Sequence, residues 1–296
     1  MLMELKDDEE IFAFTHQGEK ELPKEICHLL IRVTMTKATE ITTKGQEGQQ
    51  QKTFEEMVPT WLHDYRSVFK TEGFDKALPP QREWDHKIEL MENTWPWDDT
   101  QIIPLSNEEY KVMQDFITEN LWAGRIQPSQ SPYASPFFFV KKKDGKLQSV
   151  QDYWKINTMM VKNCTPLPLI KEVIDWLHGA CIFSKMDVHW GFNNIHIKEG
   201  DKPKAVFTTS AGLFDLTVMF FGLTNSPATF QTMMNAILRP VIIEGKVQVY
   251  MDNIMVATVD HEDHQWTVWK VLKILKENNL FLKPKKCKFK KEELIT

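Results

Sequence analysis

The segment Val249-Tyr250-Met251-Asp252-Asn253-Ile254-Met255-Val256 constrains the fold more than any other stretch of the chain. Lys246 to Tyr250 alternates polar with apolar residues, Ile254 to Ala257 returns, and Asp-Asn suits the tight turn between them. The pattern predicts a β-hairpin with an acid at its tip. A second acid, Asp187, ends another strand-like run, Cys181 to Met186, and is followed by the turn Val188-His189-Trp190-Gly191-Phe192. Taken singly, each is an ordinary turn aspartate. On neighbouring strand ends the two carboxylates can hold divalent cations, because hard Mg2+ prefers carboxylate oxygen.

At 296 residues the chain is long enough for one large domain or two modest ones. Residues 36–52 are polar and rich in Gln, Thr and Gly, which marks a linker, and residues 1–53 as a whole are expected to form a poorly ordered extension. Residues 54–104 read as a lead-in segment. In it, apolar residues from Phe54 to Phe69 recur at helical spacing, with Pro59 starting or kinking the helix. Ser106 and Glu109 form a capping box for the next helix, whose face is Tyr110, Met113, Phe116, Ile117 and Leu121 and whose end is Gly124.

Short runs rich in β-branched and aromatic residues follow: 137–140, 181–186, 194–197, 205–208 and 213–219. Helices are expected at Pro168 to His178, from Ser226 as N-cap with Pro227 at the first position, and from His261 to Asn278 with Trp266, Trp269, Leu272 and Leu275 inward. The fold class is therefore α+β with antiparallel character.

The net charge of −5 is unevenly divided. Residues 1–99 hold 12 Lys and Arg against 21 Asp and Glu, whereas residues 100–296 hold 24 against 20. Basic side chains of that second part cluster at Lys141-Lys142-Lys143 and at Lys283 to Lys291; taken singly, such runs are more often solvated faces than binding sites. No apolar stretch approaches the roughly 20 residues that span a bilayer. The acidic start, Asp7 to Glu10, is unlike a signal peptide, so an intracellular location without membrane contact is expected. Cys27, Cys164, Cys181 and Cys287 include no C-x-x-C pair and suggest neither a disulfide framework nor a zinc site.

Six blocks stand in a telling order: Lys141-Lys142-Lys143-Asp144-Gly145-Lys146, Gln151-Asp152-Tyr153, Pro166-Leu167-Pro168-Leu169-Ile170, Phe183-Ser184-Lys185-Met186-Asp187, Phe220-Phe221-Gly222-Leu223-Thr224-Asn225-Ser226-Pro227, and Tyr250-Met251-Asp252. In these the chain resembles, from about Phe54 to Ile295, the reverse transcriptase of long-terminal-repeat retrotransposons of the Ty3/gypsy type, with a fungal flavour. The resemblance implies a right-hand polymerase fold over 105–296, with fingers and a palm whose antiparallel sheet is flanked by helices. Fingers inserts would lie at about 125–170 and 198–210, the palm hairpin at 246–257 and the start of the thumb or connection at the end. No ribonuclease H, protease or integrase pattern falls within the sequence.

The implied activity is RNA-directed DNA synthesis on an RNA or DNA template with a primer, from deoxynucleoside triphosphates, with two Mg2+ ions or Mn2+ in their place. By this resemblance Asp187, Asp252 and Asn253 are the catalytic positions, and Asp187, Asp252 and the carbonyl of Val188 the metal ligands. Lys141, Lys143, Gln148, Phe192, Phe221 and Gly222 would meet the nucleotide, with Phe192 under its sugar. Tyr250, Met251, Lys283, Lys285 and Lys286 would meet nucleic acid.

Three positions depart from the family pattern: Asn253 replaces an aspartate, and Gln148 and Trp154 replace arginines. An amide brings no charge to a cation, and Gln lacks the charged fork of Arg. Impaired synthesis is the expectation, with a catalytically dead module that binds template–primer as the alternative. A noncatalytic partner subunit using the tryptophan-rich helix is a third reading. A metal-binding role for His261 and His264 carries little weight, since their i, i+3 spacing arises by chance on a polar helix start, and Trp95 and Trp97 are read as packing residues.

Overall fold

The computed structural model describes residues 53–69, 78–94, 102–141, 145 and 147–292, all within one compact unit, 50–296. The expected extension up to residue 52, Trp95, Trp97, Lys142 and Lys143 lie outside the described residues.

Two sheets organise the chain. The first has strands β1 (Ile126–Pro128), β2 (Ser135–Lys141), β3 (Leu147–Gln151), β5 (Val206–Thr209) and β6 (Gly212–Leu216), in the order β1-β6-β5-β2-β3. The second has β4 (Ile182–Asp187), β7 (Val247–Tyr250), β8 (Asn253–Thr258) and β9 (Lys288–Lys291), in the order β7-β8-β4-β9. Every pairing in the four-stranded sheet is antiparallel. The five-stranded sheet is mixed, because β2 and β5 meet in parallel through Ser135 opposite Phe207 and Pro136 opposite Thr208. Two strands so far apart in sequence are free to meet in either sense, and the alternation of side chains does not decide it.

The longer helices are α1 (Asn107–Trp122), α2 (Ile170–Leu177), α3 (Ser226–Ile237) and α4 (His261–Glu277). Helix α1 starts as expected: the Glu109 carboxylate accepts the Ser106 N–H at 2.8 Å, and Gly124 at φ +71° ends it. Its buried face is narrower than the sequence suggested, since Met113 and Ile117 are buried but Tyr110 and Leu121 are exposed. Phe116 packs at the edge of that face on Phe137 and Phe207 of the first sheet, at centroid distances of 5.6 and 6.4 Å.

Residues 54–69 are not one helix. Pro59, at φ −55° and ψ 146°, separates a single turn at Phe54–Met57 from a 3-10 turn at Thr60–Tyr65 and a further turn at Arg66–Phe69. Proline removes the amide that would carry the helix through.

Helix α4 lies on the four-stranded sheet through Val268, Val271, Leu272 and Leu275. The expectation for its tryptophans needs correction: Trp266 is 57% exposed, and Trp269 is half-buried against Trp61. The aliphatic side chains supply the inward stripe, and the indoles flank it. His264 is not a ligand either, because its ring bridges Ser184 Oγ at 2.7 Å and Thr258 Oγ1 at 2.8 Å and so staples α4 to β4 and β8. Helix α3 buries Phe230, Met233, Met234 and Ile237 as its spacing foretold. Its N-cap is Asn225 rather than Ser226, and the Asn225 side chain is spent elsewhere, on Val161 O and the Asn163 N–H. Among the described residues no helix is long and apolar enough to cross a membrane.

Candidate active site

The four-stranded sheet puts both candidate acids at one end. Tyr250 and Asn253 pair across a two-residue loop, Met251-Asp252, and Asn253 stands opposite Asp187 on β4. The Val188 N–H donates to the backbone oxygen of Asp252 at 2.8 Å, which fixes the turn against the end of β4. Met251 takes φ +54°, a left-handed conformation that costs a side-chain-bearing residue about 1–3 kcal/mol. Gln231 of α3 holds it there: its Oε1 accepts the Met251 N–H at 2.9 Å, and its Nε2 donates to Val249 O at 3.0 Å.

The turn after β4 is shaped by one buried amide. Asn194 Nδ2 donates to the carbonyls of His189, Trp190 and Gly191 at 3.0, 3.0 and 3.2 Å. Trp190 is left-handed at φ +53°, with the Arg125 guanidinium 4.2 Å above its ring. This coil replaces the strand expected at 194–197, where only isolated bridges from His196 and Ile197 remain. It brings Gly191 against the hairpin, where an added Cβ would lie 3.2 Å from the Phe230 ring and 3.5 Å from Asp252 Cβ.

The charges around this strand end are tightly grouped. Asp187 is 5% exposed, and its Oδ1 makes no hydrogen bond. Two ammonium groups approach at looser ion-pair distances, Lys283 Nζ 3.5 Å from Oδ1 and Lys286 Nζ 3.6 Å from Oδ2. They reach it because the chain after α4 returns along β4: Lys283 N–H donates to Asp187 O at 2.9 Å, and a turn begins at Pro284. Burial, and then the nearby Asp187 carboxylate, raise the Asp252 carboxyl above its ordinary value, against the opposing pull of Lys283 and Lys286. Asn253 Nδ2 donates to Asp252 Oδ1 at 3.1 Å, so the amide serves the acid as a donor. Cys287 is buried beside them with its thiol pushed up to about 12, chiefly by burial, and is no nucleophile at neutral pH.

An aromatic wall borders the acids. Phe192 is buried, with Phe221 4.9 Å and Phe230 5.6 Å from it, both edge-on. Gly222, at φ +112°, lies so close to the Gln151 carbonyl and the Tyr153 ring that an added Cβ would be 3.2 Å from each. Asn157 closes this seam by donating to Gly222 O at 2.7 Å and accepting from the Thr224 N–H at 2.8 Å.

Residues 140–294 match the family described as "Reverse transcriptase (RNA-dependent DNA polymerase)". The chain belongs to the reverse transcriptase family. Over 237 residues, 80% of its length, it is 31% identical to the Transposon Tf2-7 polyprotein of Schizosaccharomyces pombe, and it is 30% identical to the Tf2-3 polyprotein over the same length. The chain spans 18% of the length of these relatives. Its fold is that of the foamy viral protease-reverse transcriptases. A structure titled as a complex of the dRH form with ds DNA has TM-score 0.70 and 19% identity, over 96% of this chain and 47% of that one. One titled as a complex with RNA/DNA hybrid has TM-score 0.67 and 19% identity, over 93% and 35%. The α+β right-hand polymerase fold and the Ty3/gypsy-like resemblance are thereby borne out.

The other expected positions lie on several elements. Lys141 ends β2 in solvent, and Gln148, on the neighbouring β3, pairs with Val140 of β2. Tyr250 is half-buried at the hairpin, Lys285 is exposed, and Lys143 is outside the described residues. Lys283 and Lys286, expected to face nucleic acid, contact Asp187. Sequence reasoning missed Gln231, Asn194, Asn157 and Asn225, the amides that set the loops. No local pattern marks them, since their partners lie on other elements.

A buried carboxylate oxygen without a hydrogen bond and a second carboxyl raised by burial and then by its neighbour both favour a cation between them. Among the described residues, no three His, Cys, Asp or Glu side chains converge. The residues fit a cation held by two carboxylates and completed by carbonyl oxygen and water, and they fit it with less charge than three acids would give.

Proposed function

We propose that this chain is the template-directed polymerase domain of a retrotransposon polyprotein. It extends a primer on an RNA or DNA template with deoxynucleoside triphosphates, inside the cell. The carrying observation is the meeting of Asp187 and Asp252, far apart in sequence, at one end of an antiparallel sheet, with burial, and then the Asp187 carboxylate, raising the Asp252 carboxyl. The four-stranded sheet is the palm, the five-stranded sheet the fingers, and residues 54–104 lead into them. The complexes with double-stranded DNA and with RNA/DNA hybrid in the fold's neighbours support a duplex ligand.

Magnesium, or manganese, held by Asp187, Asp252 and the Val188 carbonyl would supply Lewis acidity at the primer hydroxyl and the triphosphate. The protein's own part is placement. Gln231 and Val188 fix the Asp252 turn, Asn194 shapes the loop before Phe192, and Phe192 floors the position of the incoming sugar. Lys141 and Gln148 border the triphosphate, and Lys285 follows the duplex backbone by nonspecific phosphate contact.

Synthesis is slow. Asn253 carries no charge, Gln148 lacks a charged fork, and the two ammonium groups on Asp187 balance the two carboxylates before any cation arrives. One well-placed electrostatic group is worth about 10²–10³ in turnover, so these changes together lower the rate by several orders of magnitude. The same ammonium groups favour the second reading, a module that binds template–primer without synthesis. Primer extension decides between them. The first reading expects slow incorporation with Mn2+ that Asp187→Asn abolishes and Asn253→Asp accelerates. No incorporation by any variant, with duplex binding intact, would leave the second.

A further inference from the structure

Asp187 is withdrawn from solvent, and a carboxylate in that position needs a positive partner, because a buried charge left unpaired is costly. Among the described residues its ion pairs come from Lys283 and Lys286, one ammonium group to each oxygen, at 3.5 and 3.6 Å. Both separations exceed the roughly 2.7–2.9 Å of a hydrogen-bonded ion pair, and the side chains of Lys283 and Lys286 remain 34% and 58% exposed. The contacts are loose. The backbone beneath them is fastened independently: the Lys283 N–H donates to Asp187 O at 2.9 Å, the Lys286 N–H donates to Lys283 O at 3.0 Å, and Leu282 bridges to Val188. Further along, Phe289 of β9 is buried, edge-on to Phe69 at 6.0 Å. The ammonium groups can therefore leave the carboxylate by side-chain rotation alone, with the turn Pro284–Lys286 in place.

A divalent cation ligated by Asp187 draws on the same two oxygens and repels both ammonium groups. We propose that Lys283 and Lys286 are internal counter-ions that compete with the divalent cation for Asp187, so that cation binding releases them from the carboxylate, an inference that rests on the cation assignment above. The two lysines then set the affinity of the site for its cation. The linkage is reciprocal: whatever draws the lysines away from Asp187, a phosphate backbone above all, tightens the cation, and the cation in turn frees two positive charges for a polyanion.

The test is Mn2+ titration of the whole chain, read from the paramagnetic resonance of the free ion. Lys283→Met and Lys286→Met keep an apolar stem and remove the charge. Each is expected to tighten Mn2+ by about fivefold and the pair by about twentyfold, the scale of a partly exposed ion pair. Lys288→Met, which alters an exposed lysine of the same run on β9, is expected to stay within about twofold. A second readout uses wild type alone: acetic anhydride labelling mapped by mass spectrometry is expected to be faster at Lys283 and Lys286 with saturating Mn2+ than without it, and unchanged at Lys288. Variants that bind Mn2+ no tighter than wild type, or labelling of the two lysines that is indifferent to Mn2+, would overturn the competition, while loss of binding in Asp187→Asn would leave the cation site standing. Mn2+ that bound neither wild type nor the double variant, or bound Asp187→Asn as well as wild type, would overturn both.

Discussion

Gln231→Leu is expected to destabilise the protein by loosening the turn that carries Asp252. Strand β7 is the edge of its sheet, and Tyr250 and Asn253 close the two-residue loop, so the backbone of Val249 faces away from β8. Its carbonyl takes its hydrogen bond from Gln231 at 3.0 Å, and the Met251 N–H gives its own to Gln231 at 2.9 Å. Leucine has nearly the same volume, so no large cavity forms. What is lost is pairing. A buried polar group left unsatisfied costs about 1–3 kcal/mol, and an ordinary hydrogen bond about 0.5–1.5 kcal/mol. With Val249 O as the first kind and the half-buried Met251 N–H as the second, the sum is roughly 2–4 kcal/mol. Urea unfolding measures it, and at a slope of about 2–3 kcal/mol per molar the midpoint falls by about 1 M. An unchanged midpoint would refute the reasoning, because the hairpin would then hold its left-handed Met251 without the clamp.

Two further predictions concern pH. Asp252 has a raised carboxyl, so the native chain holds a proton that the unfolded chain has released, and stability falls as pH rises through the window above its ordinary value of 3.8. Asp252→Asn is therefore expected to gain stability relative to wild type on going from acid to neutral pH, and a gap that shrank as pH rose would contradict this. His264 is held neutral, its value lowered from 6.5 to about 4 mainly by burial, so the stability it lends is present above 6.5 and lost as pH falls towards 4. His264→Gln is expected to be less stable than wild type at neutral pH, with the difference narrowing in acid, as followed by chemical unfolding across that range.

Much of this was legible in the chain. The capping box at Ser106, the inward face of α3, the hairpin at 247–258 and the acid ending β4 depend on local spacing, and local spacing is what a sequence displays. The parallel meeting of β2 and β5 depends on how distant segments dock, and no side-chain period records that. The roles of Gln231, Asn194 and Asn157 were hidden for a related reason. An amide's partners are backbone groups on other elements, and nothing in its neighbours' identity names them. Lys283 and Lys286 read as one end of a basic run. The return of the chain along β4 and the turn at Pro284 bring them onto Asp187, and their charge there opposes the function that their sequence suggested.

The most direct test of the central claim is Mn2+ binding to the nucleic-acid-free protein, followed by the paramagnetic resonance of the free ion. The account predicts saturable binding that Asp187→Asn abolishes and Asn253→Asp tightens, since the second change adds a carboxylate beside Asp252 and opposite Asp187. Binding that is indifferent to both substitutions would place the cation elsewhere and contradict the assignment of these two strand ends as its site.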